Sequence, residues 1–244
     1  DLAWAPDSRR LAFLSDCGAE GAEGKSKQLF VADLAGGAAP AKIGKLDGYA
    51  RALHWSPDGK QIAFLYVPGA TRRASALAAS KLPSGEIGVD GLEVQRIAGM
   101  DLAAGQLAEL TPDGTYVYEF DWSPDGRRFA YTAAQPPGDN NWWIAKLYVQ
   151  DAQAGAAPKE ILDARQVQGP LHGLQIALPR WSPDNRQIAF IGGLMSDQGS
   201  TGGDIYAIAA DGGAPANLTP DIHVTPAWLA WTGPAQASQA GVTW

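Results

Sequence analysis

A chain of 244 residues with 45% hydrophobic content can bury a sizeable core. A formal charge of −7 argues against nucleic acid or an anionic membrane surface as the partner. The longest apolar runs are strand-sized, so no bilayer span is expected, and the single Cys17 excludes an internal disulfide while leaving the redox compartment open.

The first residues, DLAWAPD, lack the basic and apolar regions of a signal peptide. A chain that opens directly on a repeat is expected to come from something longer, so its compartment stays open between periplasmic or secreted and cytoplasmic. The repeat is AWAPDSRRLAF from Ala3, then HWSPDGKQIAF from His54, DWSPDGRRFAY from Asp121 and RWSPDNRQIAF from Arg180. Each copy reads as a strand ending in Trp4, Trp55, Trp122 or Trp181, a tight turn, and an apolar strand. Proline presets φ, and Asp58, Asp125 and Asp184 can bond their own backbone. Gly59 and Gly126 suit the left-handed position that closes the hairpin, and Asn185 is the next best residue there. Ser8 at that position should cost on the order of 1 kcal/mol or change the turn.

A second element follows each copy: LFVADLAGG, IAGMDLAAG, LYVQDAQAG and IYAIAADGG, with Gly37, Gly105, Gly155 and Gly213 at matching places. Short fourth strands follow, as in APAKI, GQLAEL and APKEIL. Four antiparallel strands recurring at about 50 residues predict an all-β fold of β-propeller blades. The blades fall near 1–48, 49–116, 117–175 and 176–225, with a partial fifth over 226–244 opening on Trp231. The count predicts one propeller domain over 1–244 that forms an arc of a larger ring. Ala12, Ala63, Ala130 and Ala189 sit mid-strand, where a small side chain lets the next sheet approach. The four repeat tryptophans are expected to fill the gaps between blades.

With the strands of a blade labelled A to D, the A–B and C–D turns emerge on one rim, and the B–C loops and D–A connectors on the other. From repeat Trp to matched Gly the spacings are 33, 50, 33 and 32 residues, and from that Gly to the next Trp they are 18, 17, 26 and 18. The second unit therefore carries an insert of about 17 residues, near Pro68 to Leu92, and the third connector, near Gln166 to Gln175, is about eight longer. All of this variation falls on one rim, where loops on a rigid scaffold carry binding or simply tolerate insertion.

That rim supplies the candidate substrate-facing residues. Arg72 and Arg73 are adjacent cations suited to a carboxylate, or to a solubilising loop. Trp142 and Trp143 lie in QPPGDNNWW, where strand geometry would turn one to each side and pack at least one between blades. His172 and His223 lie in connectors. Met195 follows Leu194 in GGLMSDQGSTGGD, which reads as a mobile glycine-rich loop. Asp121 and Arg180, on neighbouring innermost strands, suit a structural ion pair. No catalytic residue is assigned: there is no G-x-S-x-G, no metal-ligand spacing among three histidines and one cysteine, and GAEGAEGKS lacks the first glycine of a phosphate loop. No metal and no cofactor is expected.

The W-S-P-D-G-x-x-I-A-F units resemble the propeller repeats of TolB and of the prolyl oligopeptidase family of serine peptidases. YVYEFDWSPDG, GDNNWWIAKLYV and RWSPDNRQIAFIGGLMSDQGSTGGDIY look more like the peptidase branch, which includes dipeptidyl- and acylaminoacyl-peptidases. The resemblance covers the N-terminal propeller of such an enzyme. It implies a non-catalytic domain that filters peptide substrates and docks on an α/β-hydrolase domain of the same polypeptide, whose catalytic residues lie beyond Trp244. Glu93, Glu109, Glu119 and Glu160 are isolated, so the paired glutamates of the best-known dipeptidyl-peptidases have no counterpart. The alternative is a TolB-like interaction scaffold of the bacterial envelope. A propeller that is itself an enzyme ranks last, because Asp121 alone among the matched channel positions is acidic.

Overall fold

One turn geometry closes all four repeated hairpins. Ser8, Gly59, Gly126 and Asn185 have φ of 56°, 68°, 72° and 62°, so serine adopts the strained conformation rather than changing the turn. Ser56, Ser123 and Ser182 donate to the Asp two residues on at 2.7, 2.6 and 2.6 Å. The same hydroxyl oxygens accept the N–H of Gln61, Arg128 and Gln187 at 2.9, 2.8 and 2.8 Å. Ala5 replaces serine in the first turn, where Asp7 accepts the N–H groups of Arg9 and Arg10. Those bonds, with the Arg10 guanidinium, hold the Asp7 carboxyl at about 2.

The computed structural model describes residues 1–17, 27–70, 93–136, 141–195, 201–233 and 241–243. Two compact units divide the chain, one built on Asp1–Tyr116 and one on Val117–Gln135 and Asn141–Trp244. Unit 1 holds two four-stranded antiparallel sheets. The first is β1 (Leu2–Trp4), β2 (Arg10–Ser15), β3 (Gln28–Asp33) and β4 (Ala41–Lys42); the second is β5 (Gly48–Trp55), β6 (Gln61–Pro68), β7 (Arg96–Asp101) and β8 (Leu107–Glu109). Unit 2 repeats the plan with β9 (Tyr116–Trp122), β10 (Arg128–Ala134), β11 (Lys146–Asp151) and β12 (Lys159–Leu162), then β13 (Gln175–Trp181), β14 (Gln187–Met195), β15 (Thr201–Ala209) and β16 (Ala216–Asn217). A further hairpin pairs β17 (Ala230–Thr232) with β18 (Gly241–Thr243).

Every sheet is a simple meander in chain order, the arrangement of a propeller blade. Ala12, Ala63, Ala130 and Ala189 are fully buried, as expected of strands packed on both faces. Trp55, Trp122 and Trp181 are buried too. Trp4 departs from expectation: it is 59% exposed, because no described sheet of its unit covers its ring.

Blade-to-blade contacts follow a rule that the eleven-residue repeat does not announce. Within unit 1, Arg10 lies 4.8 Å over the Trp55 ring and donates to the Gly59 carbonyl at 3.1 Å. Within unit 2, Arg128 lies 4.6 Å over Trp181 and donates to the Asn185 carbonyl at 3.1 Å. Each arginine thus stacks on the next blade's tryptophan and caps its left-handed turn residue. A second clamp sits three residues before the tryptophan, where β5 and β13 bulge and Ala52 and Leu178 have φ of 54° and 53°. The Ala52 N–H is held by Asp1 Oδ2 at 2.8 Å, and the Leu178 N–H by Glu119 Oε2 at 2.5 Å. Carboxylates on the preceding blade thereby satisfy two strained non-glycine residues.

Candidate functional site

The loop rim of unit 2 can be traced residue by residue. Trp142–Ile144 form a 3-10 turn in which the N–H groups of Ile144 and Ala145 return to the carbonyls of Asn141 and Trp142 at 3.1 and 3.2 Å. This corrects the strand geometry expected for the tryptophan pair. Turn bonds replace ladder bonds there, and neither ring is buried: Trp142 is partly covered and Trp143 is 55% exposed. The turn lies against β10 and β13. At the start of β13, Gln175 Oε1 accepts the N–H of Met195 at the end of β14, so the turn and the β14–β15 tip share one rim.

The glycine-rich stretch is also corrected. Residues 192–195 and 201–204 are strand, with Gly193 opposite Gly203 and Leu194 opposite Gly202; residues 196–200 lie outside the described set. The glycines serve close approach, not mobility. A Cβ on Gly193 would overlap the Gly202 carbonyl, and one on Gly202 would overlap Thr225 Cγ2 of the following connector. Arg72 and Arg73 fall outside the described residues as well. His223 is exposed on its connector, beside the exposed Val224.

The expected Asp121–Arg180 pairing is replaced by a bond to main chain. Asp121 Oδ2 accepts the Trp181 N–H at 2.8 Å, while Arg180 Nη1 donates to the Pro179 carbonyl at 2.8 Å. Burial pushes the Asp121 carboxyl up to about 6, against the charge of Arg180 and the N–H groups of Trp181 and Trp122.

The long third connector is fixed at both ends. Asp163 accepts from Arg165 Nε and Nη2 at 3.0 and 2.9 Å, and from Lys146 Nζ at 3.2 Å. The Arg165 guanidinium, helped by the Arg165 N–H and Lys146, holds its carboxyl far below the usual range. Farther on, Gly173 N–H closes onto the Ala164 carbonyl at 2.9 Å, and His172 Nδ1 sits 2.8 Å from the Val167 carbonyl. His172 is therefore engaged within its own loop. Leu171, between these bonds, is 2% exposed and enters the core beside Ile176 and Tyr206.

Between connector and sheet lies a cavity of about 410 Å³. The connector provides Val167, Gln168, Pro170 and Leu171; opposite stand Tyr206 of β15, Asn217 of β16 and the turn residues Ala214 and Pro215. Tyr206 and Asn217 were not singled out by the sequence, although the longer connector marked the place. Among the described residues no three His, Cys, Asp or Glu side chains are grouped to hold a metal ion.

No protein-family model matches the chain. An uncharacterised peptidase of Bacillus subtilis strain 168, YuxL, is 27% identical over 99 residues, which is 40% of this chain and 13% of that protein. Among solved structures, oligogalacturonate lyase of Vibrio parahaemolyticus superposes with a TM-score of 0.59 at 12% identity, over 94% of this chain and 53% of that one. A putative TolB of Agrobacterium tumefaciens gives 0.56 at 18% identity, over 89% and 64%. The β-propeller domain of the trilobed protease of Pyrococcus furiosus gives 0.53 at 15% identity, over 91% and 58%. This chain thus spans less than two thirds of each of these proteins. Such likenesses show the fold alone: the blades are those of a β-propeller, with TolB and a protease propeller domain both among its structural neighbours.

Proposed function

We propose that this chain is the non-catalytic propeller domain of a serine peptidase, gating peptide substrates and docking onto a separate α/β-hydrolase domain of the same polypeptide. One observation carries the reading, the placement of exposed apolar side chains in unit 2. Among its described residues these are Trp143, Leu194, Leu218, Val224 and Trp228, and all but Leu218 lie on the loop rim. The opposite rim includes the Asp- and Arg-bearing turns at Asp125–Arg128 and Asp184–Arg186. Large apolar groups concentrated on one rim support a surface that a second domain covers. The 99-residue match to a peptidase is consistent with this reading, and likeness of fold to a putative TolB is consistent with the scaffold alternative.

The test uses the polypeptide that contains this chain. A fluorophosphonate probe should label a serine outside residues 1–244, and W143D with L194D should lower kcat/KM for long peptides more than for a small ester. Absence of any labelled serine would overturn the proposal. Capture of an envelope protein in that circumstance would install the scaffold reading instead.

A further inference from the structure

We propose that the cavity beside the third connector binds an uncharged ligand with a compact apolar body and one hydrogen-bond acceptor, anchored by the Tyr206 hydroxyl. The cavity exists because the connector is long. Its spacing of 26 residues, against 17 or 18 elsewhere, provides the wall from Val167 to Leu171. That wall is preorganised by the Asp163 network at one end, the Gly173–Ala164 bond at the other and Leu171 in the core. A Cβ on Gly192 would stand 2.5 Å from Leu171 Cδ1, so the bare glycine is what admits the anchor. A wall held at three points keeps the cavity open without a ligand, which lowers the cost of binding.

Of the three polar residues lining the cavity, Gln168 is exposed on the connector, so the inner two, Asn217 and Tyr206, define the ligand. Asn217 is spent: its carbonyl accepts the Thr219 N–H at 2.9 Å, and its amide donates to Asp204 Oδ2 at 2.6 Å while lying 3.4 Å from the Tyr206 hydroxyl. Tyr206 is 3% exposed, and its hydroxyl hydrogen has no acceptor among the described residues. An enclosed O–H without an acceptor is unfavourable, and a ligand carbonyl would relieve it. Burial, with Asp204 nearby, pushes the phenol pKa up, so it remains a donor. Val167, Pro170, Leu171, Ala214 and Pro215 offer apolar contact, and no charged side chain lines the space, so a charged ligand would lose hydration without compensation. The volume suits a small molecule or one blocked apolar residue, not a folded partner.

The experiment is saturation-transfer and chemical-shift NMR on the full chain, with N-acetyl-leucine methylamide and N-acetyl-aspartate methylamide as probes. The leucine amide should bind, with the aspartate amide at least about tenfold weaker. Y206F should weaken the leucine amide roughly three- to tenfold, the worth of one hydrogen bond, with the melting temperature kept. A214F, at an exposed turn position, should fill the cavity and abolish binding. The proposal fails if the leucine amide shows no transfer at about 10 mM, or if it binds A214F as it binds the parent chain. No outcome depends on a hydrolase domain, so the site and the peptidase reading can fail separately.

Discussion

Units 1 and 2 receive their second blade with the same parts: an arginine on a tryptophan, a cap on a left-handed turn residue, and a carboxylate on a bulge. Among the matched positions at which they differ, two stand beside the groups compared next. The residue before the first tryptophan is Ala3 in unit 1 and Asp121 in unit 2. At the sixth residue of the second blade's B strand, unit 1 has Tyr66 in β6 and unit 2 has Gly192 in β14. Unit 1 satisfies both its indole and its phenol here. Trp55 Nε1 donates to the Ala3 carbonyl at 2.9 Å, and the Tyr66 hydroxyl donates to the Asp47 carbonyl at 2.6 Å and accepts its N–H at 3.1 Å. In unit 2 the buried Trp181 Nε1 has no acceptor among the described residues, and Leu171 with Tyr206 occupies the room that Gly192 leaves. Both connectors send a leucine inward, Leu46 and Leu171, but the short one is also bonded by a tyrosine, whereas the long one fills the room over a glycine and leaves a cavity behind. Connector length and B-strand side chain are therefore one coupled choice.

The most damaging way to break the comparison is G193V. Val67 holds the matching place in unit 1, fully buried, but a Cβ on Gly193 meets the Gly202 carbonyl, which is backbone. Overpacking against main chain should cost about 4 kcal/mol, read as loss of the unit 2 transition in urea. Second is pH. The folded-state pKa of Asp121 lies above its ordinary value, so its contribution is fully present at low pH and is lost as pH rises through about 6. Between pH 4 and 7 unit 2 should lose up to about 3 kcal/mol, a ceiling because the residue keeps some solvent contact. D121N should flatten that slope, whereas unit 1, with Ala3, has no equivalent carboxyl. Third, W55F breaks a satisfied indole bond and W181F removes an unsatisfied donor, so W55F should be the more destabilising by about 1 kcal/mol in thermal melts. The smallest effect is S8G, which relieves positive φ and should stabilise unit 1 by about 0.5–1 kcal/mol.

Much of the fold was legible because it is local. Spacing alone marks Trp231 as the start of a fifth blade, and its Nε1 donates to the Arg180 carbonyl just as Trp55 does to Ala3. The site was less legible. Arg10 and Arg128 alternate with Gln61 and Gln187, and Leu-Thr-Pro-Asp occurs at Leu110–Asp113 and again at Leu218–Asp221. In both, the threonine hydroxyl accepts a β7 or β15 N–H, from Ile97 at 3.0 Å and Ile205 at 2.9 Å. Reading one blade at a time conceals this two-blade period. Trp142 and Trp143 suit a strand as adjacent aromatics, and only the turn bonds from the Ile144 and Ala145 N–H groups exclude it.

From the sequence by itself came the hairpins, their left-handed residues and the blade count. Each depends on turn chemistry and alternation within about a dozen neighbouring residues. Only the tertiary structure decided that a glycine run is strand, that Asp121 serves a neighbour's backbone, and that Leu171 props open a cavity. Those outcomes depend on which groups neighbouring strands and sheets bring together, Gly193 against Gly203 in one case and Asp121 against Trp181, 60 residues on, in another, and no local propensity encodes such pairing.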